Sequence, residues 1–320
     1  MTPKKEDKPK ICKKCGNVIP DERYKDCPKC SIDEIWKTQE WRKISDVFKK
    51  IPVKPIINPL STIKEPPYLM TGTVLDELFG GGLRRGQLVE IFGSWGSGKT
   101  QFCFTAVVES KQKVIFVDSE ETFSVERIKE IARARGKSDE EIANLDKRIL
   151  LYKPRDWREQ LAILHQLPEA DDVDLIIVDS LMAFFREEED FVGRQTLPLR
   201  QSLARIHLSK LKRDIGKRYN AVVIITNQVT AVPDSNPYTP NYEKEQGVGG
   251  YSIHHVPQVI LYFRKAKDPK RIARVMKSNE HANEERVFKL GVSGIEDTAK
   301  TKEGEKEEQE TELEAVEESE

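Results

Sequence analysis

The 320-residue chain has room for one catalytic core and a small appendage, and at 38% hydrophobic and 33% charged its composition is that of a water-soluble protein. Mean hydropathy is −0.59, no run approaches the apolar length of a bilayer span, and the Lys-rich start lacks a signal-peptide core, which predicts a cytoplasmic protein without a membrane partner. The net charge of −1 hides an asymmetry, because Glu296–Glu320 carries 12 acidic and 3 basic residues. Excess positive charge on the remaining chain suits a protein that meets a polyanion and restrains the contact with its tail. A purely solubilising disordered end at 298–320 is the other reading.

In chain order, the first signal is cysteine spacing. Cys12-x-x-Cys15 and Cys27-x-x-Cys30 are eleven residues apart, a pattern in which four thiolates converge on Zn²⁺. Residues 1–35 are too polar to fold around a core of their own, so they read as a zinc-ribbon-like module whose folding is linked to metal. Two disulfides or free thiols are the alternatives, and a reducing cytoplasm disfavours the first. Residues 36–66 read as a Pro-rich linker. Trp41, Ile44, Val47 and Phe48 recur at helical spacing there, and Pro52, Pro55, Pro59 and Pro66 then stop regular structure.

From residue 67 to 297 strands and helices alternate. Buried strands are expected at Gln87–Phe92, Lys113–Asp118, Arg148–Lys153, Val173–Asp179 and Ala221–Thr226, and closing strands at Val256–Arg264, Arg271–Lys277 and Arg286–Leu290. Helices are expected at Gln101–Ser110, Ser124–Arg135, Asp156–Leu167 and Pro198–Tyr219, with Ser124 as a cap. Cys103, between Phe102 and Phe104, reads as a buried apolar residue. This order predicts an α/β fold, a mainly parallel sheet with helices on both faces.

Chemistry enters at Gly93-Ser94-Trp95-Gly96-Ser97-Gly98-Lys99-Thr100, a complete phosphate-binding loop between a strand and a helix. Glycines let backbone N–H groups turn towards phosphates, the helix N-terminus adds its dipole, Lys99 neutralises oxygens and Thr100 offers a hydroxyl to Mg²⁺. The apolar strand ending at Asp179 supplies the carboxylate that such a site needs on the Mg²⁺ side. These residues point to ATP and Mg²⁺. Hydrolysis also needs a group that orients water; Asp118, Glu120 and Glu121 end the neighbouring strand, and position alone does not choose among them.

Four ordered motifs carry a resemblance. Val114–Phe123 with Glu126-Arg127-Ile128, Phe191–Leu197 with Arg200-Gln201, Thr226-Asn227-Gln228-Val229, and Gly249-Gly250 with His255, Tyr262–Lys265 and Lys270–Arg274 are similar to archaeal RadA and its eukaryotic counterparts, strand-exchange recombinases of the RecA superfamily. The likeness spans about residues 70–297 and implies a RecA-like P-loop ATPase that is DNA-dependent and acts in homologous recombination and repair. It implies that Glu120 activates the attacking water, that Arg127 lies against adenine with Gln101 also on the nucleotide, and that Gln228 senses the γ-phosphate. It places Arg194 and Arg200 in a first DNA-facing loop, residues 229–248 in a second, and Gly249 and Gly250 at the close of that second loop. Single-stranded DNA is the implied partner, together with further copies of the chain or a RecA-family recombinase.

The chain also departs from this pattern. The usual N-terminal helix-hairpin-helix domain is replaced by the Cys pairs, which resemble those opening bacterial RadA/Sms proteins. The linker has no Phe-x-x-Ala segment, and Glu187-Glu188-Glu189-Asp190 make the first loop acidic. These departures define a second reading, a nucleotide-gated mediator that works mainly through protein partners.

Overall fold

A computed structural model of the chain describes residues 68–167, 172–187, 196–232, 244–278 and 284–298. The chain divides into two units, Met1–Lys64 and Glu65–Glu320, and every described residue belongs to the second. The expected zinc-ribbon-like module with Cys12, Cys15, Cys27 and Cys30, the Pro-rich linker and the acidic stretch from 299 onwards lie outside the described residues, as does Arg194.

The described chain opens with β1 (Tyr68–Leu69) and β2 (Leu83–Arg84), paired antiparallel around a 3-10 helix at Val74–Phe79. Then follow β3 (Leu88–Gly93), α1 (Lys99–Glu109), β4 (Lys113–Asp118), α2 (Val125–Ala134), α3 (Asp139–Arg148) and β5 (Ile149–Tyr152). Next come α4 (Trp157–Ile163), β6 (Val173–Asp179), α5 (Ala183–Glu187), α6 (Leu197–Lys210) and β7 (Val222–Asn227). A ribbon of β8 (Val229–Ala231) and β9 (Glu245–Gly247) leads into α7 (Tyr251–His254). The chain closes with β10 (Val259–Lys265), β11 (Lys270–Lys277), β12 (Glu285–Gly291) and β13 (Gly294–Asp297).

Among the described residues the main sheet has nine strands in the order β13-β12-β11-β10-β3-β7-β6-β4-β5. From β10 to β5 every neighbour is parallel, and from β10 to β13 every neighbour is antiparallel. The period-2 geometry of a strand explains why near-continuous apolar runs form the centre: both faces are covered. Val89, Ile91, Phe116, Leu175, Ile177 and Ile224 pack with α1 and α2 through Phe102, Phe104 and Ile131. Their alternating neighbours Leu88, Ile115, Val117, Ile176, Val178 and Ile225 pack with Phe185, Ala204 and Leu208 on the other face. Five strand ends, at Gly93, Asp118, Asp179, Asn227 and Lys265, finish on the same edge, where ligands bind in open α/β sheets.

β1, β2, the 3-10 helix, α5, α7, β8, β9 and β13 were not anticipated, and three longer helices differ from the sequence expectation. α3 was not anticipated, although Ser138-x-x-Glu141 is a capping box: Ser138 Oγ accepts from the Glu141 N–H at 3.3 Å, and the Glu141 carboxylate accepts from the Ser138 N–H at 2.8 Å. α4 starts at its Asp156 cap but stops at Ile163 instead of Leu167, and Leu164 and Leu167 still bury their side chains. The long helix expected at Pro198–Tyr219 begins at Leu197, widens into a π turn at Leu211–Ile215, and ends in a last α turn at Gly216–Tyr219. No helix among the described residues is long and apolar enough to cross a membrane.

Candidate active site

The phosphate loop links β3 to α1, and steric detail explains its glycines. A Cβ on Gly93 would lie 2.1 Å from the Phe263 carbonyl oxygen, so no other residue fits between β3 and β10. Gly96 and Gly98 sit at φ +72° and +109°, a region that side chains disfavour. Lys99 Nζ donates to the carbonyls of Gly93 at 2.7 Å and Ser94 at 3.1 Å, which parks the cation inside the loop. Burial lowers its pKa, while Asp179 and Glu120 pull the other way. Ser97 Oγ is buried with no partner. That orphan donor, the parked cation and the glycine cradle fit a polyphosphate.

At the end of β6, Asp179 is buried beneath the loop. Its Oδ2 accepts from Thr100 Oγ1 at 2.8 Å, and its Oδ1 accepts from Thr226 Oγ1 on β7. Desolvation pushes the carboxyl up to about 6; the Thr226 and Thr100 hydrogen bonds oppose it, and the nearby Glu120 charge adds to it. The Thr100 hydroxyl and the Asp179 carboxylate form a hard-oxygen pair suited to Mg²⁺. Among the described residues no group of three or more His, Cys, Asp or Glu side chains is gathered as a metal site.

Geometry separates the three acids after β4. Asp118 spends both oxygens on the backbone N–H groups of Thr122 and Phe123, at 3.0 and 3.1 Å, and so shapes its own loop. Glu121 is exposed and takes a positive φ of 55°. Glu121 also lines the cleft, but it is Glu120 that is held there: its Oε1 accepts from Ser180 Oγ at 2.6 Å and lies 3.5 Å from Gln228 Nε2. An open cleft of about 740 Å³ lies in front, lined by Glu120, Gln228, Pro154, Arg155, Arg186 and the outward-facing Trp95.

A sequence profile described as Rad51 matches residues 67–298 of this chain. The chain belongs to the Rad51 family. A "DNA repair and recombination protein RadA" of Aeropyrum pernix is 38% identical over 235 residues, which cover 70% of each chain. Proteins of the same name from Cenarchaeum symbiosum and Ignicoccus hospitalis are 36% and 35% identical over 246 and 240 residues. The Cenarchaeum match covers 72% of this chain and 58% of that one; the Ignicoccus match covers 70% of each. The Rad51 match begins after the Cys pairs and the Pro-rich segment.

Within this Rad51-family domain, Arg127 Nε donates to Gln101 Oε1 at 2.9 Å, bringing the two expected nucleotide contacts together. Its other nitrogens reach Glu130 and the carbonyls of Gly291 and Val292 in the β12–β13 turn. Arg200 lies in the first turn of α6. Gly249 and Gly250 follow β9 at φ +97° and +62°. Of the second expected loop, β8 and β9 form an antiparallel ribbon and residues 233–243 fall outside the description.

Sequence reasoning missed the residues that hold the others. Ser180 steadies Glu120, Thr226 steadies Asp179, and Gln160 joins Ser119 to the Leu181 carbonyl beneath them. Ser, Thr and Gln are too common to announce such roles. Glu90 is different: a carboxylate in the middle of an apolar strand was a visible signal, because a buried charge needs partners.

Proposed function

We propose that this chain is a DNA-dependent ATPase of homologous recombination and repair that binds single-stranded DNA, in keeping with the names of its relatives. The supporting observation is the convergence on one sheet edge of Thr100 with Asp179 and of Glu120 with Gln228. In this reading Lys99 leaves the Gly93 and Ser94 carbonyls to meet phosphate oxygens, with Gly93–Gln101 and Arg127 lining the nucleotide. Thr100 and Asp179 hold Mg²⁺, which when bound neutralises charge on the phosphates. Glu120, held by Ser180, orients the attacking water. Gln228 stands between Glu120 and the β8–β9 ribbon, and Arg194, Arg200, Gly249 and Gly250 belong to the DNA-facing side.

The chain would then divide into a zinc-ribbon-like module at 1–35, a linker at 36–66, the ATPase domain at 67–297 and an acidic tail at 298–320. Zn²⁺ on Cys12, Cys15, Cys27 and Cys30 is supported by their spacing. Metal analysis of the purified protein checks it, and zinc-free protein with Cys12, Cys15, Cys27 and Cys30 open to thiol reagents would end it. ATP turnover with and without single-stranded DNA tests the central reading.

The acidic run Glu187–Asp190 and the missing Phe-x-x-Ala segment favour a second reading, a nucleotide-gated mediator acting on a RecA-family recombinase. Slow turnover unaffected by single-stranded DNA, with no filaments in electron micrographs, would select it.

A further inference from the structure

The base of the β8–β9 ribbon is tied to the phosphate-loop strand by side chains that hydrolysis does not use. Glu90, mid-strand in β3, is fully buried. Its Oε1 accepts from Asn227 Nδ2 at 2.9 Å, and its Oε2 lies 2.8 Å from His254 Nδ1. The other ring nitrogen, His254 Nε2, lies 3.2 Å from the Gly247 carbonyl oxygen. Asn227 also donates to the Val248 carbonyl at 2.9 Å and accepts from the Gln228 N–H at 2.9 Å. Both ends of the ribbon, Asn227–Gln228 before β8 and Gly247–Val248 at the end of β9, therefore hang on one carboxylate.

The proton count of this cluster is constrained. A peptide carbonyl and a carboxylate only accept, so each contact of the His254 ring requires its own proton. A neutral imidazole carries one. Once the second is lost, two lone pairs face each other across one of these contacts, beside a fully buried carboxylate and in a ring only 20% exposed.

We propose that His254 and Glu90 form a proton-dependent clamp that positions the ribbon base, and with it Gln228, against Glu120, so that loss of the proton uncouples DNA at the ribbon from ATP turnover. The coupling half rests on the ATPase reading above; the clamp itself does not. The surrounding charges agree with it. Burial works against the imidazolium, but the Glu90 hydrogen bond and charge, with the Gly247 carbonyl, outweigh it, and the His254 pKa is raised. Lys277 on β11 opposes this; its Nζ donates to the carbonyls of His254, His255 and Pro257 at 3.3, 3.1 and 2.7 Å. Lys212, in the π turn after α6, donates to the Val256 carbonyl at 2.7 Å. On β9, Glu245 is engaged by the Tyr262 hydroxyl at 2.6 Å, and the Phe92 ring packs against His254 at 5.7 Å. With a raised pKa the clamp is complete below the ordinary imidazole value of about 6.5 and is lost as pH rises through the folded one.

Glu90→Gln gives a sharp test, because its amide oxygen still accepts from Asn227 while its NH₂ donates to an unprotonated Nδ1. A neutral His254 then satisfies every contact, and the clamp no longer needs a titrating proton. Proton NMR of the full chain, with the His254 signal assigned by its absence in His254→Gln, should show wild-type His254 titrating above about 6.5 and the Glu90→Gln ring below it. DNA stimulation of turnover should be lost in the wild type as pH rises through the measured value and stay flat in Glu90→Gln, with DNA-free turnover unchanged. If Glu90→Gln does not fold, His254→Gln should flatten the same profile. Wild-type His254 titrating at or below the ordinary value, or DNA-stimulated turnover whose pH profile is the same in wild type and variants, overturns the proposal. Turnover that ignores DNA at every pH, beside a raised His254 titration that Glu90→Gln abolishes, upholds the clamp and discards the DNA-dependent reading and the coupling with it.

Discussion

From Gly93 to Thr100 the chain keeps its shape through backbone: glycines at positive φ, a strand too close to β10 for any side chain, and a lysine hydrogen-bonded to its own loop. At the foot of the β8–β9 ribbon the work passes to side chains. Glu90 and His254 are 164 residues apart in sequence, and Asn227 comes from a third segment. The two regions share β3, yet one is a local cradle and the other a long-range lock. A cradle of this kind yields to changes of shape, whereas the lock also yields to changes of proton count.

The largest expected effect falls on the cradle side. Glu120→Gln should retain ATP yet lose turnover by about 10²–10⁴-fold, the usual contribution of a positioned acid–base group. Lys99→Ala should weaken both binding and turnover. The His254 titration should be unmoved in either variant, which separates the two regions, and unchanged turnover in Glu120→Gln would remove that residue from the mechanism.

A smaller, graded effect comes from Asp179, whose carboxyl is pushed up to about 6 by burial. A divalent cation takes the ionised form, so Mg²⁺ affinity should fall about tenfold per pH unit below that value and level off above it. Calorimetric titration with a non-hydrolysable ATP analogue reads this directly. The sign is opposite to that of His254: acid weakens the cation site, and base weakens the ribbon clamp. Affinity constant down to pH 5 would take Asp179 off the metal.

The smallest effect is a control outside both regions. Ser138→Ala removes the α3 cap and should cost about 1 kcal/mol of stability with turnover intact. A drop in turnover measured well below the melting temperature would mean that α3 reaches the site, contrary to the separation argued here.

The parts legible in the sequence were those written contiguously. The Gly93–Thr100 spacing, the apolar strand closing on Asp179 and the near-continuous apolar runs of the sheet each lie within one short window. α3 was equally legible through Ser138 and Glu141, but its polar composition hid it. The choice of Glu120 over Asp118 was not legible from position, because it depends on which carboxylate the Thr122 and Phe123 N–H groups consume. The Glu90, Asn227 and His254 cluster was beyond reach for a different reason: three segments must fold before the residues meet.

Strand order also sets a schedule for synthesis. β3 is flanked by β7 and β10, which end at Asn227 and Lys265 of a 320-residue chain. On the ribosome the phosphate loop therefore emerges early and waits, one wall missing, until the chain has grown past Lys265. Its neighbour across the Phe263 carbonyl is among the last described strands to arrive. A nascent chain stopped before Val259 carries the complete nucleotide motif and only part of the frame that shapes it.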